Sequence, residues 1–125
     1  MEKIEIVATE YTPYINLDPE SRLVEIKGES FPENTFEFYT PILKWLKELL
    51  NSSGKVTINM EIVYFNSSSS QVFFNLFDQI NDSVEENGLE AEINWIYEED
   101  NESVLEAGED FIEEYETLNF NLIIK

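Results

Sequence analysis

Residues 56–80 read VTINMEIVYFNSSSSQVFFNLFDQI, and two patterns within them decide the fold. Apolar side chains alternate with other side chains along residues 56–64, which is the pattern of a β-strand. Val63 and Phe65 place further apolar side chains on the opposite face. We therefore expect this strand to be buried on both sides near its end and to lie centrally in a sheet. The apolar spacing then becomes that of a helix, which we predict over residues 69–87.

The rest of the chain alternates between short strands and helices. Two apolar stretches on either side of a proline-containing turn predict an antiparallel hairpin, which follows a first short strand. Helical spacing predicts a helix over residues 35–51, with Pro41 either in its first turn or at a kink, and a third helix beginning near Asn101. The predicted order is β-β-β-α-β-α-β-α-β. We assign the α/β class, as one domain over residues 1–125 with a mixed sheet covered by about three helices.

Four consecutive serines, Ser67 to Ser70, lie where the predicted strand ends and the helix begins. Ser68 and Gln71 have the spacing of a capping box, which predicts Ser68 as the N-cap and leaves Ser67 one residue outside the helix. A helix start has free N–H groups and a partial positive charge, so the same donors that favour a capping hydroxyl would hold a phosphate. The residues alone leave both interpretations open, an ordinary helix cap or a phosphorylation site.

The composition excludes several classes of partner and chemistry. The chain has 125 residues, no cysteine and no histidine, and a net charge of −20. Such a surface repels phosphate backbones and anionic lipids, so we expect neither nucleic-acid binding nor membrane binding. The N-terminal residues have no signal-peptide pattern, from which we expect a cytoplasmic location.

Catalytic motifs are missing from the sequence. It contains no glycine-rich phosphate loop, no nucleophile-plus-histidine set and no calcium-loop spacing, so we expect no enzymatic activity, no cofactor and no metal. One alternative is a small acidic enzyme or ligand-binding domain with a pocket lined by Tyr39, Trp45, Tyr64 and Trp95. Such aromatic residues more often belong to the core.

Several segments resemble the SiaC family of bacterial regulatory phosphoproteins. The most specific are GESFPEN at residues 28–34 and YFNSSS at residues 64–69. They occur in family order and extend over nearly the whole chain. The further matching stretches are residues 8–9, 12–13, 38–39, 41–42, 45–46, 95–100 and 106–111.

The resemblance implies a signalling adaptor that is switched by phosphorylation. In such proteins the hydroxyl residue directly after the motif asparagine is phosphorylated, and here that residue is Ser67. The family resembles STAS-type anti-sigma-factor antagonists in architecture and in partner switching. It implies a protein kinase, a protein phosphatase and an effector, a diguanylate cyclase, which the unphosphorylated form binds and activates.

We also predict which residues surround the switch. Asn66 would shape the turn, while Ser68, Ser69 and Gln71 would supply the helix cap and the phosphate environment. The family usually has threonine at the position of Ser67, so the hydroxyl is kept. It often has lysine at the position of Gln71, and without that charge any phosphate is left to the backbone N–H groups.

The neighbouring loop is our candidate partner-binding surface. It comprises Glu29, Phe31, Pro32, Glu33 and Asn34. The alternative is a packed connection in which Pro32 fixes the path of the chain.

Overall fold

The computed structural model describes residues 1–125, and its elements follow the predicted order. Six strands and three helices occur, and the alternation of helix and strand begins after β3. Their bounds are β1 Ile4–Ile6, β2 Tyr14–Asp18, β3 Leu23–Ser30, α1 Thr35–Leu50, β4 Val56–Phe65, α2 Ser67–Asn87, β5 Ala91–Tyr97, α3 Glu102–Glu114 and β6 Asn119–Ile124.

The strands form one mixed sheet in which their spatial order is their order in the chain. The pairs β1–β2 and β2–β3 are antiparallel, whereas β3–β4, β4–β5 and β5–β6 are parallel. Each parallel pair is connected through one helix, as a parallel crossover requires. The strand at residues 56–65 lies between β3 and β5, so its central position is confirmed.

All three helices lie on one face of the sheet. The parallel strands are added in one direction, and right-handed crossovers then place every connecting helix on the same side. The buried strand side chains accordingly occupy alternate positions and join the helices in a single core of 28 residues. Trp95, Tyr39 and Phe73 are among the largest side chains that are fully buried there.

The other face of the sheet carries a row of partly exposed polar side chains. Asn94 donates to Asn59 at 2.8 Å, and Asn121 donates to Asn94 at 3.2 Å, so the amides form a chain across three strands. Further along the row, Asn16 donates to Glu25 at 2.9 Å. Helices therefore cover the sheet on one side only.

Our expectation that β4 is buried on both faces near its end is wrong. Val63 and Tyr64 are 48% and 52% exposed. The cause is an irregularity in the β3–β4 ladder, where Gly28 pairs with Ile62 but Glu29 pairs with Tyr64, so that Val63 has no partner. The inserted residue reverses the alternation and moves Tyr64 to the uncovered face.

Helices α1 and α3 each contain a residue that is unfavourable in a helix interior, Pro41 and Gly108 respectively. Pro41 lies within α1 beyond its first turn, so the first-turn alternative is excluded. Gly108, on α3, faces Trp95: a Cβ at this position would lie 2.5 Å from Trp95 Cδ1. This glycine therefore allows α3 to approach β5 closely.

No helix combines the length and the apolar character needed to cross a membrane.

Candidate functional site

Asn66 caps α2, and the helix begins at Ser67. The Asn66 side chain accepts a hydrogen bond from Ser69 N at 2.9 Å, and its carbonyl accepts one from Ser70 N at 3.0 Å. The predicted capping box, with Ser68 as N-cap and Gln71 as third helical residue, is therefore wrong by two residues.

The physical reason for this start lies in the neighbouring strand. Asn66 N donates to the carbonyl of Ser30 at 3.1 Å, so strand pairing continues to Asn66 and leaves no linker before the helix. Asparagine is also among the strongest N-cap residues. Ser67 is consequently the first residue of α2 and lies inside the helix, contrary to our prediction.

The serines of this first turn lie in different environments. Ser67 and Ser68 are exposed, whereas Ser69 is completely buried. The Ser69 hydroxyl donates to the carbonyl of Ser30 at 2.9 Å and lies 2.7 Å from the Ser30 hydroxyl, which in turn lies 2.6 Å from the Tyr39 hydroxyl. Of the four serines, Ser67 and Ser68 are therefore the most accessible to a modifying enzyme, Ser70 is only partly exposed, and Ser69 is inaccessible.

Three buried hydroxyls, on Ser30, Tyr39 and Ser69, thus join the end of β3, helix α1 and the start of α2. Burial raises the pKa of Tyr39 well above its usual range, and the hydrogen bond to Ser30 opposes this shift only in part. The phenol therefore stays protonated. Ser30 was not among the predicted site residues, although its buried position continues the alternation of Val24 and Ile26 along β3.

The start of α2 is free of charged side chains. No charged residue occurs from Ile62 to Phe77, although the chain contains 27 acidic residues. The N–H groups of Ser67 and Ser68 precede the first bond within the helix and have no acceptor in the chain. Gln71 lies one turn after Ser67 on the same side of α2 and is also exposed. An anion on Ser67 would meet backbone donors and an amide, with no acidic side chain in the first turn.

The candidate partner loop lies directly beside this helix start. Glu29 and Glu33 are exposed, Phe31 is partly exposed, and Pro32 is buried. Asn34 caps α1, since its side chain accepts a hydrogen bond from Glu37 N at 3.1 Å. The loop thus combines a packed half, which includes Pro32, with side chains that a partner can reach.

Tyr11 also belongs to this surface, although the sequence did not indicate it. Its ring packs edge-on against Phe31 with centroids 5.4 Å apart, and Phe31 packs likewise against Tyr64 at 5.5 Å. Tyr11 lies in a loop without periodicity, so no local signal connects it to the other two rings.

The alternative aromatic-lined pocket has no counterpart in the structure. Tyr39, Trp45 and Trp95 are buried core residues, whereas Tyr64 is exposed. The largest cavity, about 530 Å³, lies at the opposite end of the sheet between residues 50–55 and 87–90. None of the four aromatic residues lines it. The structure also contains no cluster of three or more acidic side chains arranged to hold a metal ion.

Solved structures with the same fold come from Pseudomonas aeruginosa. The crystal structure of apo-SiaC superimposes with a TM-score of 0.86 at 25% identity, covering 100% of this chain and 99% of that one. The crystal structure of the diguanylate cyclase SiaD in complex with its activator SiaC gives a TM-score of 0.85 at 25% identity, with 97% of both chains covered.

Sequence comparison agrees with these structures. An uncharacterized protein of Pseudomonas aeruginosa is 26% identical over 115 residues, which are 91% of this chain and 90% of that protein. The family model described as "SiaC family regulatory phosphoprotein" matches residues 6–125, which is nearly the whole chain. The chain belongs to the SiaC family of regulatory phosphoproteins.

Proposed function

We propose that this protein is a cytoplasmic signalling regulator whose unphosphorylated form binds and activates a diguanylate cyclase. A partner kinase phosphorylates Ser67 and thereby ends this interaction, and a phosphatase restores it. The observation that carries the proposal is the exposed Ser67 hydroxyl on the first turn of α2, directly after the motif residue Asn66. The SiaC structure bound to a diguanylate cyclase supports the choice of effector.

The environment of Ser67 suits a phosphate without a change of fold. A phosphate adds about −1.5 to −2 charges at neutral pH. The partial positive charge of the helix start and the free N–H groups of Ser67 and Ser68 favour that charge. The first turn is also anchored by Ser69, which is buried and hydrogen-bonded to Ser30. We therefore expect the modified and unmodified proteins to have the same fold.

Phosphorylation of Ser67 weakens the binding of the partner protein. Residues 62–77 present an uncharged surface, and a partner that fits it would have to desolvate a hydrated dianion after phosphorylation. A loss of about 3 kcal/mol weakens binding by more than a hundredfold. The protein itself takes part as a binding component without catalysis, which agrees with the absence of histidine and cysteine.

Mass spectrometry of the native protein tests the site. Intact mass and peptide mapping should place one phosphate on Ser67. Ser67→Ala should abolish it, and the matched variant Ser68→Ala should not. Modification confined to Ser68 would contradict the assignment.

An affinity measurement tests the switch. The dissociation constant of a full-length diguanylate cyclase from the source organism should be more than about a hundredfold lower for unmodified protein than for Ser67-phosphorylated protein. Ser67→Ala should bind like the unmodified form, and Ser67→Glu should bind more weakly. Equal affinity for both forms would remove the switch from the proposed function.

A further inference from the structure

Three aromatic rings form an exposed cluster at the end of the sheet where α2 begins. We call Tyr11, Phe31 and Tyr64 the aromatic cluster. Tyr11 and Tyr64 are each 52% exposed. The rings pack edge-to-face, with centroids 5.4 Å apart for Tyr11 and Phe31 and 5.5 Å apart for Phe31 and Tyr64. Exposed aromatic rings that pack on one another are typical of binding surfaces.

The backbone fixes the cluster next to the candidate switch. Phe31 N donates to the carbonyl of Tyr11 at 2.8 Å, and Tyr64 pairs with Glu29 across the β3–β4 ladder. Ser67 comes three residues after Tyr64 in the chain. A surface cavity of about 240 Å³ adjoins the cluster, and its lining residues are Val63, Tyr64, Phe65, Asn101, Ser103 and Val104. Its size and apolar lining suit one aliphatic side chain of a partner.

The segments around the aromatic cluster are acidic. Residues 7–13, 29–34, 63–68 and 98–101 contain no lysine or arginine. They carry exposed acidic side chains, which are Glu10, Glu29, Glu33, Glu98, Glu99 and Asp100. Lys125 offsets this charge only in part, through contacts of 3.2 Å with Glu61 and 3.6 Å with Glu98. The surface therefore has an uncharged aromatic centre and a negative rim.

We propose that the aromatic cluster is the docking site for a segment of the effector protein whose apolar side chains are flanked by lysine or arginine. This inference rests on the proposed function, because it names the surface and the partner chemistry through which that function operates. The apolar side chains cover the aromatic cluster and the uncharged start of α2, and the basic side chains face the acidic rim.

This arrangement is consistent with phosphorylation that weakens binding. A dianion on Ser67 enters the uncharged centre, where desolvation is costly, whereas the basic side chains of the partner remain at the solvated rim. A second copy of this chain is a poor occupant, since each copy has a net charge of −20.

Substitution of the cluster tests the docking site. The probe is a full-length diguanylate cyclase from the source organism, and the variant is Tyr11→Ser with Tyr64→Ser. Truncating two aromatic anchors should raise the dissociation constant about tenfold or more. The matched control is Ile124→Ser, because Ile124 is 56% exposed on the edge strand β6 and lies outside the cluster. The control should bind like the unsubstituted protein, and circular dichroism should show both variants folded.

Charge reversal tests the partner chemistry. Glu10→Lys, Glu29→Lys and Glu33→Lys together should weaken binding about tenfold or more at low salt. The matched control is Glu85→Lys, Glu86→Lys and Glu90→Lys, which changes the net charge equally at the far end of the molecule. Equal weakening by both triple variants would show that only overall charge matters and would overturn the inference.

The outcomes separate this inference from the proposed function. Unchanged affinity of the aromatic-cluster variant, together with a loss of binding on Ser67 phosphorylation, would overturn the inference and leave the switch. If the cyclase binds no form, the proposed effector is wrong, and a photo-crosslinker in place of Tyr64 in cells of the source organism decides the inference. A crosslinked partner peptide with apolar side chains flanked by lysine or arginine supports it. Crosslinks to an acidic peptide, to a second copy of this chain, or none beyond an Ile124 control overturn it.

Discussion

Asn66→Ala should destabilise the protein by removing the cap of α2. The Asn66 side chain accepts a hydrogen bond of 2.9 Å from Ser69 N, and alanine cannot replace that acceptor. Loss of an N-cap costs about 1 kcal/mol. With a urea dependence of about 2 kcal/mol per molar, the midpoint of unfolding should fall by about 0.5 M.

Two controls make this result specific. Asn66→Asp keeps an acceptor and adds a negative charge at the positive end of the helix, so its midpoint should stay close to the original. Ser68→Ala changes an exposed residue of the first turn and should alter the free energy of unfolding by less than about 0.5 kcal/mol. If urea unfolding shows that Ser68→Ala costs as much as Asn66→Ala, our account of the helix start is incorrect.

Three further substitutions probe the interior. Ser69→Ala should lower the free energy of unfolding by about 1–2 kcal/mol in urea, because the carbonyl of Ser30 loses a buried donor; an effect within error would contradict this role. Gly108→Ala should cost about 1–3 kcal/mol by thermal or urea unfolding, since the new methyl group would collide with Trp95. The raised pKa of Tyr39 means that the unfolded chain releases this proton first, so stability should fall as pH rises above about 10. Tyr39→Phe should reduce that fall, as alkaline unfolding curves would show.

The order of the strands and helices could be predicted from the sequence because the patterns that identify each element are local. The alternation of β4 and the apolar stripe of α2 each extend over enough residues to identify the element from its own sequence. The uncovered face of the sheet was also visible in principle, since Asn59, Asn94 and Asn121 occupy equivalent positions of successive strands. We did not predict this face because Val63 and Phe65, at the end of β4, are apolar. That Val63 is unpaired depends on the register of β4 with β3, which the sequence of β4 alone does not reveal.

The details of the candidate site depend on contacts between distant segments. Asn66 and the serines after it are all good N-cap residues, so local propensity does not choose between them. The bond from Asn66 N to Ser30 makes the choice, and it forms only when β3 and β4 pair. The burial of Ser69 and the edge-to-face contact of Tyr11 with Phe31 likewise come from tertiary structure.

The order of the strands has a consequence for synthesis on the ribosome. Each strand pairs with the one made just before it, so the sheet can grow at its newest edge while the chain is still emerging. When β4 has been added, α1 is the only helix yet made, so the apolar side chains of β4, from Val56 to Ile62, are incompletely covered until α2 leaves the exit tunnel. We expect the uncharged stretch at residues 62–77 to be prone to self-association at this stage, and prompt docking of α2 to protect it.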